Sequence, residues 1–274
     1  MKKFFCFVAF VFLLPSFVVS ADQPVEFVVV VTAYNQGAKN RNRCLNNLES
    51  IKKQTYPHFS VIYVDDCSTD NMGALVDEFV AKNKLENKFT VIHNTTRVGK
   101  MHNQYRVINK INPHKVIIDM DGDDELAHKH VLDIVASYYA DKTVWMTYGS
   151  YKTQFGEIGI CDPFPKSILE SQKFRSCNWR TSHLKTYYAK LFQLIDKKDV
   201  TVNGNYIAVC EDQAIIFPML EMAGNGHFRY INNILYIFYV TDHAWFGDNA
   251  LPRKNLFVEY VLSRHPYAPL KELF

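Results

Sequence analysis

Apolar runs alternate with amphipathic segments through the first half of the chain. The run VEFVVVV at residues 25–31 is continuous and β-branched, which is typical of a parallel strand buried on both faces. Similar runs occupy 59–64, 88–93 and 115–120. Between them, apolar residues recur at helical spacing in 41–53, 71–82 and 99–111. This alternation predicts an α/β fold, a three-layer αβα sandwich around a mostly parallel, twisted sheet.

The pattern in the second half is less regular. It predicts helices over 128–139, 183–195, 211–223 and 251–263, and strands over 143–148, 151–155 and 231–240. No linker between these elements is long enough to separate two independently folded units. We therefore predict that residues 22–274 form a single domain.

The N-terminus has the features of a secretory signal peptide. Two lysines precede the eleven-residue apolar run Phe4–Leu14, Pro15 ends the run, and small residues follow at Ser20 and Ala21. We predict a cleavable signal peptide over residues 1–21, and therefore an exported protein or one of the secretory pathway. The alternative is an uncleaved signal anchor that keeps the protein on a membrane. No later stretch is long and apolar enough to span a bilayer.

Composition excludes several classes of partner. The chain has 274 residues, of which 48% are hydrophobic, enough for a substantial core. Its net charge is +3, or +1 without the signal segment, so neither nucleic acid nor a polybasic membrane surface is indicated. Five cysteines follow the signal segment with no CxxC pair, which argues against a zinc site. One or two disulfides and five buried thiols both remain open.

Polar side chains follow each predicted strand of the first half, in 32–35, 65–70, 93–100 and 119–125. The carboxyl ends of parallel strands meet at one edge of a sheet, where ligands bind in such folds. The last of these segments holds five acids within seven residues, which repel one another unless a cation or solvent compensates.

Within this cluster, Asp121 and Asp123 have the spacing that lets two carboxylates at a strand end share a divalent cation. A calcium loop of the helix–loop–helix kind would need Gly and Glu where this chain has Asp124 and His130, so that alternative fails. A solvated acidic turn stays open. Beyond the second strand, Asp66 can accept a hydrogen bond from a base or a ribose.

Five segments, in order along the chain, carry a resemblance to a known family. They are VVVVTAYNQG (28–37), LNNLESIKKQTYPHFSVIYVDDCSTD (45–70), RVGKMHNQ (97–104), DGDDEL (121–126) and CEDQAIIFPMLEMAG (210–224). The chain resembles the family 2 inverting glycosyltransferases with the A-type, nucleotide-diphospho-sugar transferase fold. The resemblance implies a nucleotide-binding half over 22–126, an acceptor and catalytic half over 127–240, and a C-terminal tail over 241–274.

The resemblance also implies roles for individual residues. Asp121 and Asp123 would bind Mn²⁺ or Mg²⁺, and Asp212 would be the general base. The residues implied to bind the nucleotide donor are Thr32, Ala33, Tyr34, Asp66, Arg97, Lys100, Asp121 and Gly122. Those implied at the acceptor or donor sugar are Trp179, Arg180, His183 and Glu211. A core Trp, a helix-capping His, a solvated Lys and a helix-terminal Asp are the structural alternatives for four of these positions.

The implied reaction is metal-dependent inverting transfer of a hexose from a nucleotide-diphospho-sugar, with a UDP-sugar favoured, to a hydroxyl on a glycan, lipid or protein. A cation would stabilise the charge that grows on the leaving diphosphate, and a carboxylate would take the acceptor's proton. One alternative is a secreted carbohydrate- or nucleotide-binding protein that keeps the fold without turnover. A nucleotidyltransferase would need a Gly-rich loop after the first strand, where TAYNQGAKN (32–40) has only Gly37.

Overall fold

The structure is a computed structural model, and it describes residues 23–36, 41–159, 161–224, 226–240 and 250–274. The predicted signal peptide and the first part of the predicted tail, 241–249, lie outside these ranges. Among the described residues, no helix combines the length and the apolarity needed to cross a bilayer.

The first half forms the alternation that the sequence predicts. Four parallel strands, joined by three helices, are β1 (Phe27–Ala33), β2 (Phe59–Asp65), β3 (Phe89–His93) and β4 (Val116–Asp121). The helices are α1 (Arg41–Lys52), α2 (Met72–Lys82) and α3 (Lys100–Ile108). The strand ends are level, because Ala33 pairs with Asp65, Asp65 with His93, and Thr32 with Asp121. The loops that follow these strands therefore lie side by side.

The second half extends the same sheet. Its strands are β5 (Glu125–Leu126), β6 (Met146–Thr153), β7 (Ser182–Tyr188) and β10 (Phe228–Phe238), while β8 (Thr201–Val202) and β9 (Asn205–Tyr206) form a separate pair. Its helices are α4 (Val131–Tyr139), α5 (Lys166–Ser171), α6 (Ala189–Gln193), α7 (Glu211–Met222) and α8 (Ala250–Ser263). The eight-stranded sheet has the order β3-β2-β1-β4-β7-β6-β10-β5. Strand β7 runs antiparallel to both β4 and β6, and the sheet is otherwise mostly parallel.

The helix predicted over 183–195 is wrong. Residues 182–188 form the central strand β7, and only the short helix α6 follows. Residues 183–187 of this strand are all buried, because the strand is paired on both edges and covered on both faces. Continuous burial removes the two-residue alternation that marks a half-exposed strand, so the segment mimics a helix in sequence. The two strands predicted over 143–148 and 151–155 are likewise one strand, β6.

The core consists of two apolar layers, one on each face of the sheet. Phe27, Val29 and Val31 of β1 pack in one layer with residues of α1, α2 and α4. Val28 and Val30 point the other way and pack with residues of α3, α6 and α7. Successive side chains of a strand face opposite sides, so a fully apolar β1 needs cover on both. The predicted three-layer αβα arrangement is confirmed.

Candidate functional site

A cavity of about 330 Å³ lies at the carboxyl edge of β1, β2 and β4. The predicted nucleotide- and metal-binding residues all line it, together with one predicted acceptor residue: Thr32, Ala33, Tyr34, Asp66, Arg97, Lys100, Asp121, Gly122, Asp123 and Glu211. Nine of them lie at or after the level ends of β1, β2, β3 and β4, and Glu211 comes from the start of α7. The structure thus places in one cavity residues from Thr32 to Glu211, which are far apart in sequence.

One wall of the cavity is a cation–π pair. The guanidinium carbon of Arg97 lies 3.9 Å from the centre of the Tyr34 ring. Both side chains line the cavity, and Arg97 is exposed. A stacked ring and guanidinium give a flat, positively charged surface at the mouth of the site.

Asp66 organises the loop that carries Arg97. Its carboxylate accepts hydrogen bonds from the backbone N–H groups of Val98 (3.0 Å) and Gly99 (2.8 Å), and from Asn94 Nδ2 (2.8 Å). Burial opposes ionisation of Asp66, but these hydrogen bonds outweigh it and lower its pKa. Asp66 is therefore an ionised anchor for residues 97–99, in addition to lining the cavity.

Two glycines shape this edge, Gly122 by close packing and Gly99 by its backbone conformation. A Cβ on Gly122 would lie 2.4 Å from Cβ of Ala33, so only glycine lets the acidic loop approach the end of β1. Gly99 has a φ of 90°, a backbone conformation that disfavours other residues, and it immediately precedes α3. The next residue, Lys100, is thereby placed in the first turn of α3 and faces the acids.

The acidic loop concentrates negative charge in a poorly solvated place. Burial, reinforced by repulsion from Asp121, raises the pKa of Asp123 to about 6. Burial, reinforced by repulsion from Asp123 and Asp121, raises the pKa of Asp124 well above its usual range. Burial also acts to raise the pKa of Asp121. The ammonium of Lys100, 2.6 Å from Asp121 Oδ1, outweighs burial and lowers that pKa. A cation would relieve this repulsion.

Three side chains at this loop are arranged as metal ligands. Asp121, Asp124 and His183 each offer a ligand atom, and these atoms lie within 4.8 Å of one another. Asp124 Oδ2 and His183 Nδ1 are buried with no hydrogen-bond partner, which is costly unless a ligand satisfies them. Burial, helped by Lys185, lowers the pKa of His183 to about 3, so the imidazole is in its neutral, metal-binding form. These residues fit a divalent cation.

This grouping differs in membership from the predicted pair of metal ligands. Asp121 belongs to both, Asp123 adjoins the group and lines the cavity, and Asp124 and His183 are additions made by the structure. His183 is predicted from the sequence as a sugar-binding residue. Its ring stacks on Tyr236 with centroids 4.4 Å apart, which fixes the imidazole beside the acids.

Asp212 lies in the first turn of α7, between two lysines. Its Oδ1 is 2.6 Å from Lys185 Nζ and 3.9 Å from Lys100 Nζ. Burial opposes ionisation of Asp212, but the two lysines hold its pKa well below its usual range. The side chain remains 34% exposed, so an ionised carboxylate is open to a substrate. Lys100 contacts Asp121 as well, and so connects Asp212 with the acidic loop.

Trp179 and Arg180 lie apart from the residues that line the cavity. Trp179 packs edge-on against Phe217 of α7, with ring centroids 5.3 Å apart. Arg180 forms an ion pair with Asp162 at 3.5 Å and donates to the carbonyl of Pro163. Both are half-buried. Their contacts fit a structural role equally well, so their predicted sugar-binding role stays a prediction.

Lys185 is a further residue at this site that the sequence analysis missed. It is fully buried in β7 and contacts Asp212 directly. A lysine within the otherwise uncharged segment SHLKTYY is the available signal, because a buried ammonium requires an acid partner. Reading the segment as a helix hid that requirement.

Comparison with known proteins identifies relatives by sequence. Residues 28–215 match the family model described as "Glycosyl transferase family 2". Glycosyltransferase GlyG of Streptococcus pneumoniae serotype 4 is 30% identical over 123 residues, which is 45% of this chain and 38% of GlyG. The match thus spans less than half the length of that curated relative.

Solved structures share the fold at low sequence identity. The mannosyltransferase PcManGT from Pyrobaculum calidifontis, in complex with GDP-Man and Mn²⁺, has a TM-score of 0.60 and 19% identity, covering 90% of this chain and 68% of that one. S. aureus TarS 1–349 in complex with UDP-GlcNAc has a TM-score of 0.59 and 17% identity, covering 89% of this chain and 68% of TarS 1–349. These similarities confirm the predicted A-type fold.

Proposed function

Because this chain belongs to glycosyl transferase family 2, we propose that it transfers a sugar from a nucleotide-diphospho-sugar to a hydroxyl group of a glycan, lipid or protein, with inversion at the transferred carbon. Family membership confirms the predicted enzyme class, a glycosyltransferase. The observation that carries the rest is the arrangement around one cavity. An acidic loop with unsatisfied ligand atoms and the ionised Asp212 both lie beside Lys100, which lines the cavity and links them.

We propose a UDP-sugar as the donor. TarS structures hold UDP and UDP-GlcNAc, and PcManGT holds GDP-Man, so related folds accept more than one nucleotide. The Tyr34–Arg97 wall supplies a flat surface for a base and a positive charge for phosphate. Thr32 and Ala33 line the same part of the cavity, and Asp66 can accept a hydrogen bond from a pyrimidine N–H.

We propose Mn²⁺ or Mg²⁺ as the cofactor. Asp121 and Asp123, with Asp124 and His183 beside them, would hold the ion. The orphaned atoms of Asp124 and His183 support a cation there, and a neighbouring fold contains Mn²⁺. A bound divalent cation supplies neutralisation of the charge that develops on the leaving diphosphate.

The chain's own residues supply the remaining chemistry. The Asp212 carboxylate takes the proton of the acceptor hydroxyl while that oxygen attacks the anomeric carbon from the face opposite the diphosphate, which inverts the centre. Lys100 adds positive charge between Asp212 and Asp121. Glu211 lines the cavity next to Asp212 and is proposed, with Trp179 and Arg180, to contact the sugars, whereas His183 is assigned to the cation.

The N-terminal segment supports a location outside the cytosol. We propose an exported protein or an enzyme of the secretory pathway, retained on a membrane if the signal is not cleaved. A secreted binding protein with the same fold is the alternative function, and donor turnover distinguishes the two.

The first test is a thermal-shift series with UDP, GDP, CDP and dTDP, each with Mn²⁺ and with EDTA. We expect one nucleotide, UDP, to raise Tm only when Mn²⁺ is present. Asp121→Asn and Asp123→Asn should abolish this shift. Asp212→Asn should keep it but lower turnover of the matching sugar nucleotide by about 10²–10⁴-fold, the usual contribution of a general base.

Each outcome bears on a separate part of the proposal. If no nucleotide stabilises the protein, the binding-protein alternative is favoured and acceptor glycans become the ligands to test. Turnover that survives in Asp212→Asn would contradict the general-base role. A shift that persists in EDTA would contradict the metal-dependent donor site.

A further inference from the structure

Lys185 is a charged residue that no substrate can reach. Its side chain is 0% exposed in the centre of the sheet, while the Asp212 side chain that it contacts is 34% exposed. The ammonium lies 2.6 Å from Asp212 Oδ1 and 3.9 Å from Asp119 Oδ2. A fully buried lysine is costly unless its charge is paired and hydrogen-bonded. Its presence therefore requires an explanation.

The ion pair belongs to a chain of contacts that joins four elements, α3, β4, β7 and α7. Gln104 of α3 donates to Asp119 Oδ1 at 2.8 Å, Asp119 faces Lys185 of β7, and Lys185 donates to Asp212 of α7. Asp119 and Gln104 are 2% and 0% exposed, so this side of the chain is held in the core. Only its last member, Asp212, is partly exposed.

The contact is made with one oxygen of Asp212. Both lysines approach Oδ1, Lys185 at 2.6 Å and Lys100 at 3.9 Å. Holding one carboxylate oxygen fixes the rotation of the group and leaves the second oxygen to accept another proton or hydrogen bond. A base must lie within hydrogen-bond reach of the proton it removes, so this restraint affects catalysis directly.

We propose that Lys185 is a positioning residue that holds the Asp212 carboxylate in place for the acceptor hydroxyl. This inference rests on the proposed function, in which Asp212 is the general base. Lys185 itself touches neither donor nor acceptor. Its positive charge also offsets the mutual repulsion of Asp119 and Asp212, which would otherwise face each other across the position of the ammonium.

The test uses Lys185→Gln and Lys185→Arg in the full chain. The values of kcat and KM are measured for hydrolysis of the UDP-sugar that the protein accepts, with water as the acceptor and UDP as the product. We expect Lys185→Gln to lower kcat by about 100-fold or more with KM within about twofold of wild type, because donor contacts are unchanged and only the base is displaced. Lys185→Arg keeps the positive charge but does not reproduce the single short contact with Asp212. Its kcat should therefore lie between that of wild type and that of Lys185→Gln.

A control variant distinguishes a loss of Asp212 positioning from a general loss of folding stability. Arg175→Gln removes another buried cation that is paired with a residue of α7, Glu221. Arg175 lies outside the cavity lining, so this variant should lose stability while kcat and KM of the folded fraction stay at wild-type values. An equal fall in kcat for Arg175→Gln and Lys185→Gln would overturn the positioning role.

A crystal structure of Lys185→Gln with UDP and Mn²⁺ gives a readout that does not depend on turnover. We expect the Asp212 carboxylate to leave its present orientation or to occupy two orientations. An unchanged Asp212, or a kcat within about threefold of wild type, would overturn the inference. If Lys185→Gln is too unstable to purify, Lys185→Arg is used, and wild-type kcat in that variant likewise overturns it. A wild-type protein that turns over no UDP-sugar contradicts the proposed function instead, and the Asp212 orientation still decides the role of Lys185.

Discussion

At the scale of single residues, the cavity depends on close contacts that tolerate little change. Asp66 anchors the 97–99 loop through two backbone N–H groups, and Lys100 lies between Asp121 and Asp212. Gly122 lies against Ala33 where any side chain would collide. These contacts join loops that are far apart in sequence. A displacement of about one ångström in one loop therefore also displaces the others.

We predict that Gly122→Ala weakens the nucleotide site. The added methyl would lie 2.4 Å from Cβ of Ala33 and 3.2 Å from the Tyr63 hydroxyl, so the acidic loop must move away from β1. Overpacking of this kind costs about 1–3 kcal/mol of folding free energy. Urea denaturation measures the cost, and the Mn²⁺-dependent Tm shift with UDP should become smaller.

A compensating substitution is the control for this prediction. Ala33→Gly combined with Gly122→Ala exchanges the two methyl positions and removes the closest collision. The double variant should regain part of the lost stability and of the nucleotide response. A double variant that is less stable than Gly122→Ala alone would show that the contact with Ala33 is not the cause.

At the scale of elements, side chains at the strand ends hold neighbouring strands and helices together. His93 at the end of β3 has Nδ1 3.3 Å from Asp65 of β2 and Nε2 3.1 Å from Asp77 of α2. Burial acts to lower the pKa of His93, but the hydrogen bonds and charges of Asp77 and Asp65 outweigh it and raise the pKa. Three elements thus meet at a titratable group.

We predict that His93 gives stability a dependence on pH. A histidine whose pKa is raised in the folded state stabilises the protein fully below its unfolded pKa of about 6.5, and this contribution is lost as pH rises through the folded-state pKa. Compared with wild type, His93→Gln should therefore lose most stability near pH 5.5 and least near pH 8.5. Tm measured across this range checks the prediction.

His128 provides a control of opposite sign. Burial, together with the charge of His130, lowers the pKa of His128, so its protonation on acidification favours the unfolded state. His128→Gln should lose least stability at low pH relative to wild type. If both variants lose stability in parallel across the range, the contacts of His93 do not set its pKa.

At the scale of the whole molecule, a buried ion pair joins the far end of α7 to the C-terminal region. Arg175 lies 2.6 Å from Glu221 and donates to the carbonyl of Val261 in α8. Glu221 also accepts from the backbone N–H of Tyr267 at 3.0 Å. Helix α7 therefore carries Asp212 at its first turn and is held by this ion pair near its last turn.

We predict that Glu221→Gln lowers the free energy of unfolding by about 3–5 kcal/mol, because it leaves the Arg175 guanidinium buried without a counter-charge. The Mn²⁺-dependent affinity for UDP should be unchanged, since neither residue lines the cavity. Urea denaturation and nucleotide titration are the measurements. Arg175→Met with Glu221→Leu should cost less than Glu221→Gln, and a larger cost would indicate that the charges themselves are not the source of the loss.

The sequence by itself determined the first half of the fold and most of the residues in the cavity. Continuous apolar runs separated by helical periodicity can form little other than buried parallel strands with helical crossovers. That architecture brings the carboxyl ends of β1, β2 and β4 to one edge. Residues as distant as Thr32 and Asp121 could therefore be assigned to one site before any contact was known.

Only the tertiary structure decided the central strand β7 and the roles of its buried polar residues. Burial on both faces of β7 erased the periodicity from which a strand is recognised, so 183–195 reads as a helix in sequence. Strand pairing across the sheet also brings the imidazole of His183 beside Asp121. It places the ammonium of Lys185 2.6 Å from Asp212 in the same way. Local sequence determines which residues can form a strand, whereas the neighbouring elements determine which charged groups contact its side chains.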